Sequence, residues 1–201
     1  MSQYFDNDPS VASKEKIITF EIFDHNISLT TDNGVFSKDK VDEGSLAFLK
    51  VLIPLNLSGR ILDLGCGYGT IGLTLALTSK EARIDLADIN TRALALCERK
   101  ARALKVEQKV AILHSDIYSN IEGPYDSIVV NPPIRAGKKV TYQMYEGAKQ
   151  YLISGGSLFV VIRKAQGGPS ASRYIESLFG NCTLLKRDKG YYIYQAKKMD
   201  K

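Results

Sequence analysis

The chain has 201 residues, of which 44% are hydrophobic and 24% charged, with a net charge of +5. That length suits one α/β domain with a sizeable core and a small extension. No apolar run approaches the roughly 20 residues needed to span a bilayer, so membrane insertion is not expected. The opening MSQYFDNDPS is polar and acidic, as expected of neither a signal nor a transit peptide. Cys66, Cys97 and Cys182 are scattered without C-x-x-C spacing. That argues against a metal site and a disulfide framework, and the cytoplasm is the expected compartment. The charge is unevenly placed. Residues 135–201 carry 13 Lys/Arg against 4 Asp/Glu, a net +9, and residues 1–134 carry 14 against 18, a net −4. A phosphate-rich partner would meet the C-terminal third.

In chain order, residues 16–30 predict a hairpin, with strands 17–23 and 27–30 around the turn Asp24-His25-Asn26. Asp42 predicts the cap of a helix running through Leu46, Leu49, Leu52 and Ile53. Strands and helices then alternate: strand 60–64, helix 70–79, strand 83–87, helix 91–104, strands 110–113 and 127–130, helix 140–153, strand 157–162 and helix 170–179. Leu94, Cys97, Ala101 and Leu104 recur at spacings of three and four, on one helical face. Such alternation predicts a mostly parallel sheet with helices on both faces. Strands 182–186 and 191–195 are joined by Arg187-Asp188-Lys189-Gly190, too short for a parallel crossover, so one of them must run antiparallel.

The run Asp63-Leu64-Gly65-Cys66-Gly67-Tyr68-Gly69 follows the first core strand and opens a helix. Glycines there permit a tight turn and bring a ligand close to free backbone N–H groups. Asp88 ends the next strand, where a carboxylate can accept from ribose hydroxyls. Gly67-x-Gly69-x-x-Gly72 also matches a dinucleotide-binding pattern, so the loop alone does not choose between cofactors. Three features favour S-adenosylmethionine. Asp63 suits an ammonium and opposes a pyrophosphate, although a carboxylate there can also cap the loop. Asp116 follows the third strand, placed to meet an adenine amine. The third feature is Asn131-Pro132-Pro133-Ile134.

Two prolines stop a strand, because neither has an N–H for the ladder. Asn131 then sits at the C-terminal edge of an open α/β sheet, where ligands bind. A rigid carboxamide and a fixed carbonyl form a pair of acceptors for an –NH2 group.

At this point the chain resembles class I S-adenosylmethionine-dependent methyltransferases of the small-subunit ribosomal RNA guanine-N2 type, in their compact single-domain form. The matching segments are Thr31-Asp32-Asn33-Gly34-Val35-Phe36-Ser37, Val41-Asp42-x-Gly44-Ser45, the loop 63–69, Asp88-x-Asn90-x-Arg92-Ala93 and Ser115-Asp116. Residues 131–138, Val161-Ile162-Arg163-Lys164-x-Gln166-Gly167 and Lys189-Gly190-Tyr191 complete the match. The resemblance implies a Rossmann-like fold with a seven-stranded, mostly parallel sheet. Residues 1–56 would form a hairpin and helix extension packed on a methyltransferase core, 57–201.

The resemblance also implies roles. Asp63, Gly65, Cys66, Gly67, Gly69, Asp88, Ile89 and Asn90 would bind the cofactor, with Asp116 and Ile117 at its adenine and Asn131 at its reactive end. Asn131, Pro132, Pro133 and Ile134 would form the catalytic segment, with Asn131 and the Pro132 carbonyl gripping the target amine. Adenine-N6 and glutamine-N5 methyltransferases with this motif usually carry an aromatic where this chain has Ile134, which favours guanine N2 over those substrates. A non-catalytic RNA-binding or ribosome-assembly factor is the alternative from another class. Phe36 would either stack on the target or pack in the core. Arg135, Lys138, Lys139 and Lys164 would hold phosphates of the ribosomal RNA or small subunit.

Overall fold

The computed structural model describes residues 10–200; most of the polar opening and Lys201 lie outside the described residues. A hairpin of β1 (Lys16–Ile22) and β2 (His25–Thr31) leads to α1 (Glu43–Leu52). Then follow β3 (Gly59–Leu64), α2 (Thr70–Thr78), β4 (Ala82–Asp88), α3 (Thr91–Ala103) and β5 (Val110–His114). The C-terminal half contains β6 (Tyr125–Val130), α4 (Lys138–Tyr151), β7 (Leu152–Arg163), α5 (Gly168–Phe179), β8 (Thr183–Asp188) and β9 (Tyr191–Lys197). Among the described residues, no helix is long and apolar enough to cross a membrane.

Seven strands form one sheet in the order β5-β4-β3-β6-β7-β9-β8. The pairings from β5 through β7 are parallel, and β9 is antiparallel to both β7 and β8. The strand forced to reverse is therefore β9, inserted between β7 and β8. From β3 the chain builds outward through β4 and β5, then returns to place β6 on the other side of β3. This reversal opens a crevice at the C-terminal ends of β3 and β6, where open α/β sheets bind ligands.

Both sheet faces are covered, which explains the unbroken apolar runs of the central strands. Val129 joins a core formed with α1, α2, α3 and the hairpin, whereas Ile128 and Val130 join the core beneath α4 and α5. The same alternation sends Ile61 to the first core and Leu62 and Leu64 to the second. The hairpin buries Ile18, Phe20, Ile27 and Leu29 in the first core, so it packs on the sheet's helices.

Two boundaries differ from the sequence expectation. The hairpin turn is shorter: Ile22 pairs with His25, leaving Phe23 and Asp24 as the loop, with Phe23 at φ +50°. The helix expected over 140–153 begins earlier, at Lys138, and ends at Tyr151. Leu152, expected to be helical, instead opens β7 and pairs with Tyr125.

Candidate active site

A cavity of about 660 Å³ occupies the crevice at the β3 and β6 ends. Its floor is the glycine turn after β3. The Gly65 and Cys66 N–H groups both donate to the Ala87 carbonyl, at 2.8 and 2.9 Å, tying the turn to β4. Asp88 holds the turn from the side: its Oδ2 accepts from Gly67 N at 2.8 Å and its Oδ1 from Asn90 N at 2.8 Å. Gly67 has φ +55°, and a Cβ there would meet nothing within 4 Å, so its backbone faces open space. Gly72 is constrained oppositely. A Cβ there would lie 2.1 Å from Leu86 Cδ2, so its lack of one lets α2 sit against β4.

Asp63 is only 1% exposed yet lines this cavity. Its Oδ2 accepts from Gly72 N at 2.8 Å, so it does cap the first turn of α2. Among the described residues no group donates to its other oxygen. Burial pushes its carboxyl up to about 7, against the pull of the Gly72 N–H. Burial also raises Asp88, opposed by the backbone N–H groups it accepts from. Asp116 is exposed and lines the cavity with Ile117. Cys66 lines it too, but burial pushes its thiol well above its ordinary value, which removes it as a nucleophile.

Asn131 emerges from β6 into the same cavity. Its Nδ2 donates to Asp42 Oδ2 at 2.9 Å and to Ser45 Oγ at 3.0 Å. With both amide protons held, the carboxamide is fixed, and Oδ1 faces away from these partners as an acceptor. The prolines that follow separate two carbonyls. Pro133 O accepts from Ala136 N at 2.9 Å, closing the 3-10 turn Ile134–Ala136. Among the described residues no N–H donates to Pro132 O. Ile134 and Arg135 continue the cavity wall.

Another part of the wall comes from the segment after β2. Arg92 Nη1 donates to Asn33 O at 2.7 Å and Asn90 Nδ2 to Gly34 O at 2.9 Å, clamping this loop to the start of α3. The loop presents Phe36 to the cavity, 51% exposed, so Phe36 is not core packing. Ile89 and Asn90 line the cavity below it. Four expected site residues are not brought into it. Gly69 is the N-cap of α2, and its backbone lies behind the turn against Leu73. Lys138, Lys139 and Lys164 are exposed and stand outside the lining.

The residues that sequence reasoning missed are Asp42 and Ser45. Their motif matches, but in the sequence Asp42 reads only as a helix cap. It is that cap, with Oδ2 accepting Ser45 N at 2.8 Å, and the same oxygen holds Asn131. Glu43, Arg163 and Tyr191 also line the cavity without having been assigned a role.

A seven-stranded sheet with β9 reversed and a glycine turn at the switch point defines the class I methyltransferase fold. The chain belongs to the methyltransferase small domain family, whose model matches residues 26–195. It is 40% identical over 198 residues to the uncharacterised Bacillus subtilis protein YbxB, covering 98% of each chain. It is 34% identical over 189 residues to ribosomal RNA small subunit methyltransferase C of Aliivibrio fischeri, covering 92% of this chain and 53% of that one. A T. thermophilus 16S rRNA N2 G1207 methyltransferase, solved in complex with AdoMet and guanosine, superposes with a TM-score of 0.83 at 27% identity. That match covers 94% of this chain and 52% of the other. The chain thus spans about half the length of the named ribosomal RNA methyltransferases it matches.

Proposed function

We propose that this chain transfers a methyl group from S-adenosylmethionine to the exocyclic N2 amine of a guanine in small-subunit ribosomal RNA. The observation that carries the reading is the fixed Asn131 carboxamide, whose Nδ2 is held by Asp42 and Ser45 so that Oδ1 is offered as an acceptor. The names of the relatives, a small-subunit methyltransferase and a 16S rRNA N2 methyltransferase, supply the substrate class.

The residues present fit the cofactor. Open space over Gly67 admits a ligand to the backbone, and the unbonded oxygen of Asp63 suits an ammonium. Asp88 retains acceptor capacity for ribose hydroxyls beyond the backbone N–H groups it accepts. Asp116 and Ile117 line the same cavity, and we assign the adenine to them. When bound, S-adenosylmethionine supplies an electrophilic methyl group on a positively charged sulfur.

This chain's part in transfer is positioning. The target amine is conjugated to its ring and is a weak nucleophile. Asn131 Oδ1 and Pro132 O accept its two N–H groups and turn the nitrogen lone pair toward the methyl donor. Positive charge that develops on the nitrogen lies against these two oxygens, and a proton leaves to solvent after transfer. No strong base is required beforehand. In this scheme the described part of residues 1–56 is an extension that furnishes Phe36, Asp42 and Ser45 to the core that begins at residue 57; residues 1–9 and Lys201 lie outside the described residues. Arg135, Lys138, Lys139 and Lys164 provide phosphate contacts around the mouth.

Replacing Asn131 by Ala tests the mechanism. Calorimetry should show S-adenosylmethionine affinity within about twofold, while methyl transfer falls on the order of 100-fold or more. Unchanged turnover would contradict the assignment.

A further inference from the structure

We infer that Glu43 and Arg163 select guanine, with Glu43 accepting the N1–H of the target base and Arg163 donating to its O6. The inference rests on the guanine-N2 reading above and names the groups that choose the base.

The polar groups that line the cavity are the starting point. Asn131 is bonded to Asp42 at 2.9 Å, Glu43 follows Asp42 in the chain, and Glu43 Oε2 lies 3.9 Å from Arg163 Nη2. All four residues line the same cavity. The cavity therefore offers the Asn131 amide oxygen as one acceptor, and a neighbouring carboxylate and guanidinium as a second acceptor and a donor. The edge of guanine reads N2–H2, N1–H, O6: donor, donor, acceptor. The two sets of groups are complementary. Adenine presents a lone pair at N1, which would face a carboxylate, and its amine sits at the other end of that edge.

Three features hold the arrangement in place. Arg163 is the last residue of β7 and pairs with Tyr191, the first of β9. Its guanidinium lies 5.1 Å from the Tyr191 ring centroid, a cation–π contact that restrains its direction. Gly44 lets α1 approach: a Cβ there would lie 2.7 Å from Tyr191 Cε1. This close approach sets Glu43 beside Arg163 and gives a physical use to Val41-Asp42-x-Gly44-Ser45 and Lys189-Gly190-Tyr191. At 3.9 Å the Glu43–Arg163 pair is not hydrogen-bonded, and the two side chains are 52% and 47% exposed, so each can take its own partner on the base.

The test uses small ribosomal subunits from cells lacking this protein, labelled S-adenosylmethionine, and two nucleoside inhibitors. Guanosine carries the N2 amine, N1–H and O6. 2-Aminopurine riboside keeps the amine, has a lone pair at N1 and lacks O6. The wild-type protein should form N2-methylguanosine and be inhibited at least about tenfold more strongly by guanosine. Glu43→Gln should cut that preference about threefold or more, because an amide can either accept from or donate to N1, and leave the share due to Arg163. Arg163→Gln should weaken guanosine about tenfold and leave 2-aminopurine riboside within about twofold. An undiminished guanosine preference in either variant, with N2-methylguanosine still formed by the wild type, overturns this inference and leaves the proposed function standing. A wild-type product other than N2-methylguanosine overturns both. Fold damage would move both inhibitors together, so the ratio separates it from base selection.

Discussion

Asp42 accepts the Asn131 carboxamide at 2.9 Å through the same Oδ2 that takes the Ser45 N–H at 2.8 Å. One oxygen therefore fixes both the start of α1 and the orientation of the group proposed to grip the target amine. The helix begins where the site needs it.

Removing that oxygen should show in two separate measurements. Asp42→Ala should lower kcat about 10- to 100-fold with S-adenosylmethionine affinity nearly unchanged, because Asn131 is freed to rotate. Thermal or denaturant unfolding should show a loss of about 1 kcal/mol from the missing cap. Asp42→Asn keeps an acceptor oxygen and should recover most of the activity.

With Asp63 holding the cofactor's ammonium as proposed, its carboxyl should make cofactor binding pH-dependent. Its folded-state value of about 7 lies above the ordinary 3.8, so burial favours the protonated form. Its contribution to the stability of the cofactor-free protein is full below the ordinary value and is lost as pH rises through about 7. An ammonium prefers the ionised form. Calorimetry should therefore find S-adenosylmethionine affinity rising from about pH 6 toward about pH 7.5. Asp63→Asn should weaken binding and remove that rise.

The two glycines of the turn should fail differently. Gly72→Ala forces a methyl within 2.1 Å of Leu86 and should cost about 1–3 kcal/mol of stability in denaturant unfolding. Gly67→Ala meets no atom within 4 Å and carries only the strain of φ +55°, about 1–2 kcal/mol. Its methyl enters the space proposed for the cofactor, so its larger effect should be on S-adenosylmethionine affinity.

Lys138 and Lys139 lie outside the cavity on the exposed start of α4. If they contact phosphates, RNA affinity should fall steeply with salt. Replacing both with Ala should lower the slope of log affinity against log salt by about 2. Filter binding across a salt series measures this, and an unchanged slope would remove them from the interface.

Much of the architecture was legible because local rules and tertiary needs agreed. Asp63, Asp88 and Asn131 each stand at or next to the C-terminal end of a strand, and such positions share one sheet edge once the strands are parallel. The Leu94, Cys97 and Ala101 face is buried as its spacing predicts. The start of β7 was hidden because Leu152 continues a helical period and Gly155-Gly156 suggests a turn. Its strand state depends on pairing with Tyr125, a partner 27 positions earlier, followed by a register shift before Ser127. The Asp42–Asn131 bond was hidden for a related reason. The residues are 89 positions apart, and each already had a sufficient local explanation, a cap for one and a strand end for the other.

The central claim is best tested by incubating purified protein and S-adenosylmethionine with small ribosomal subunits from cells that lack it, then identifying methylated nucleosides by mass spectrometry. The account predicts N2-methylguanosine, formed by the wild-type protein and nearly absent with Asn131→Ala. N6-methyladenosine, methylation of a ribosomal protein glutamine, or no transfer to any component would contradict it.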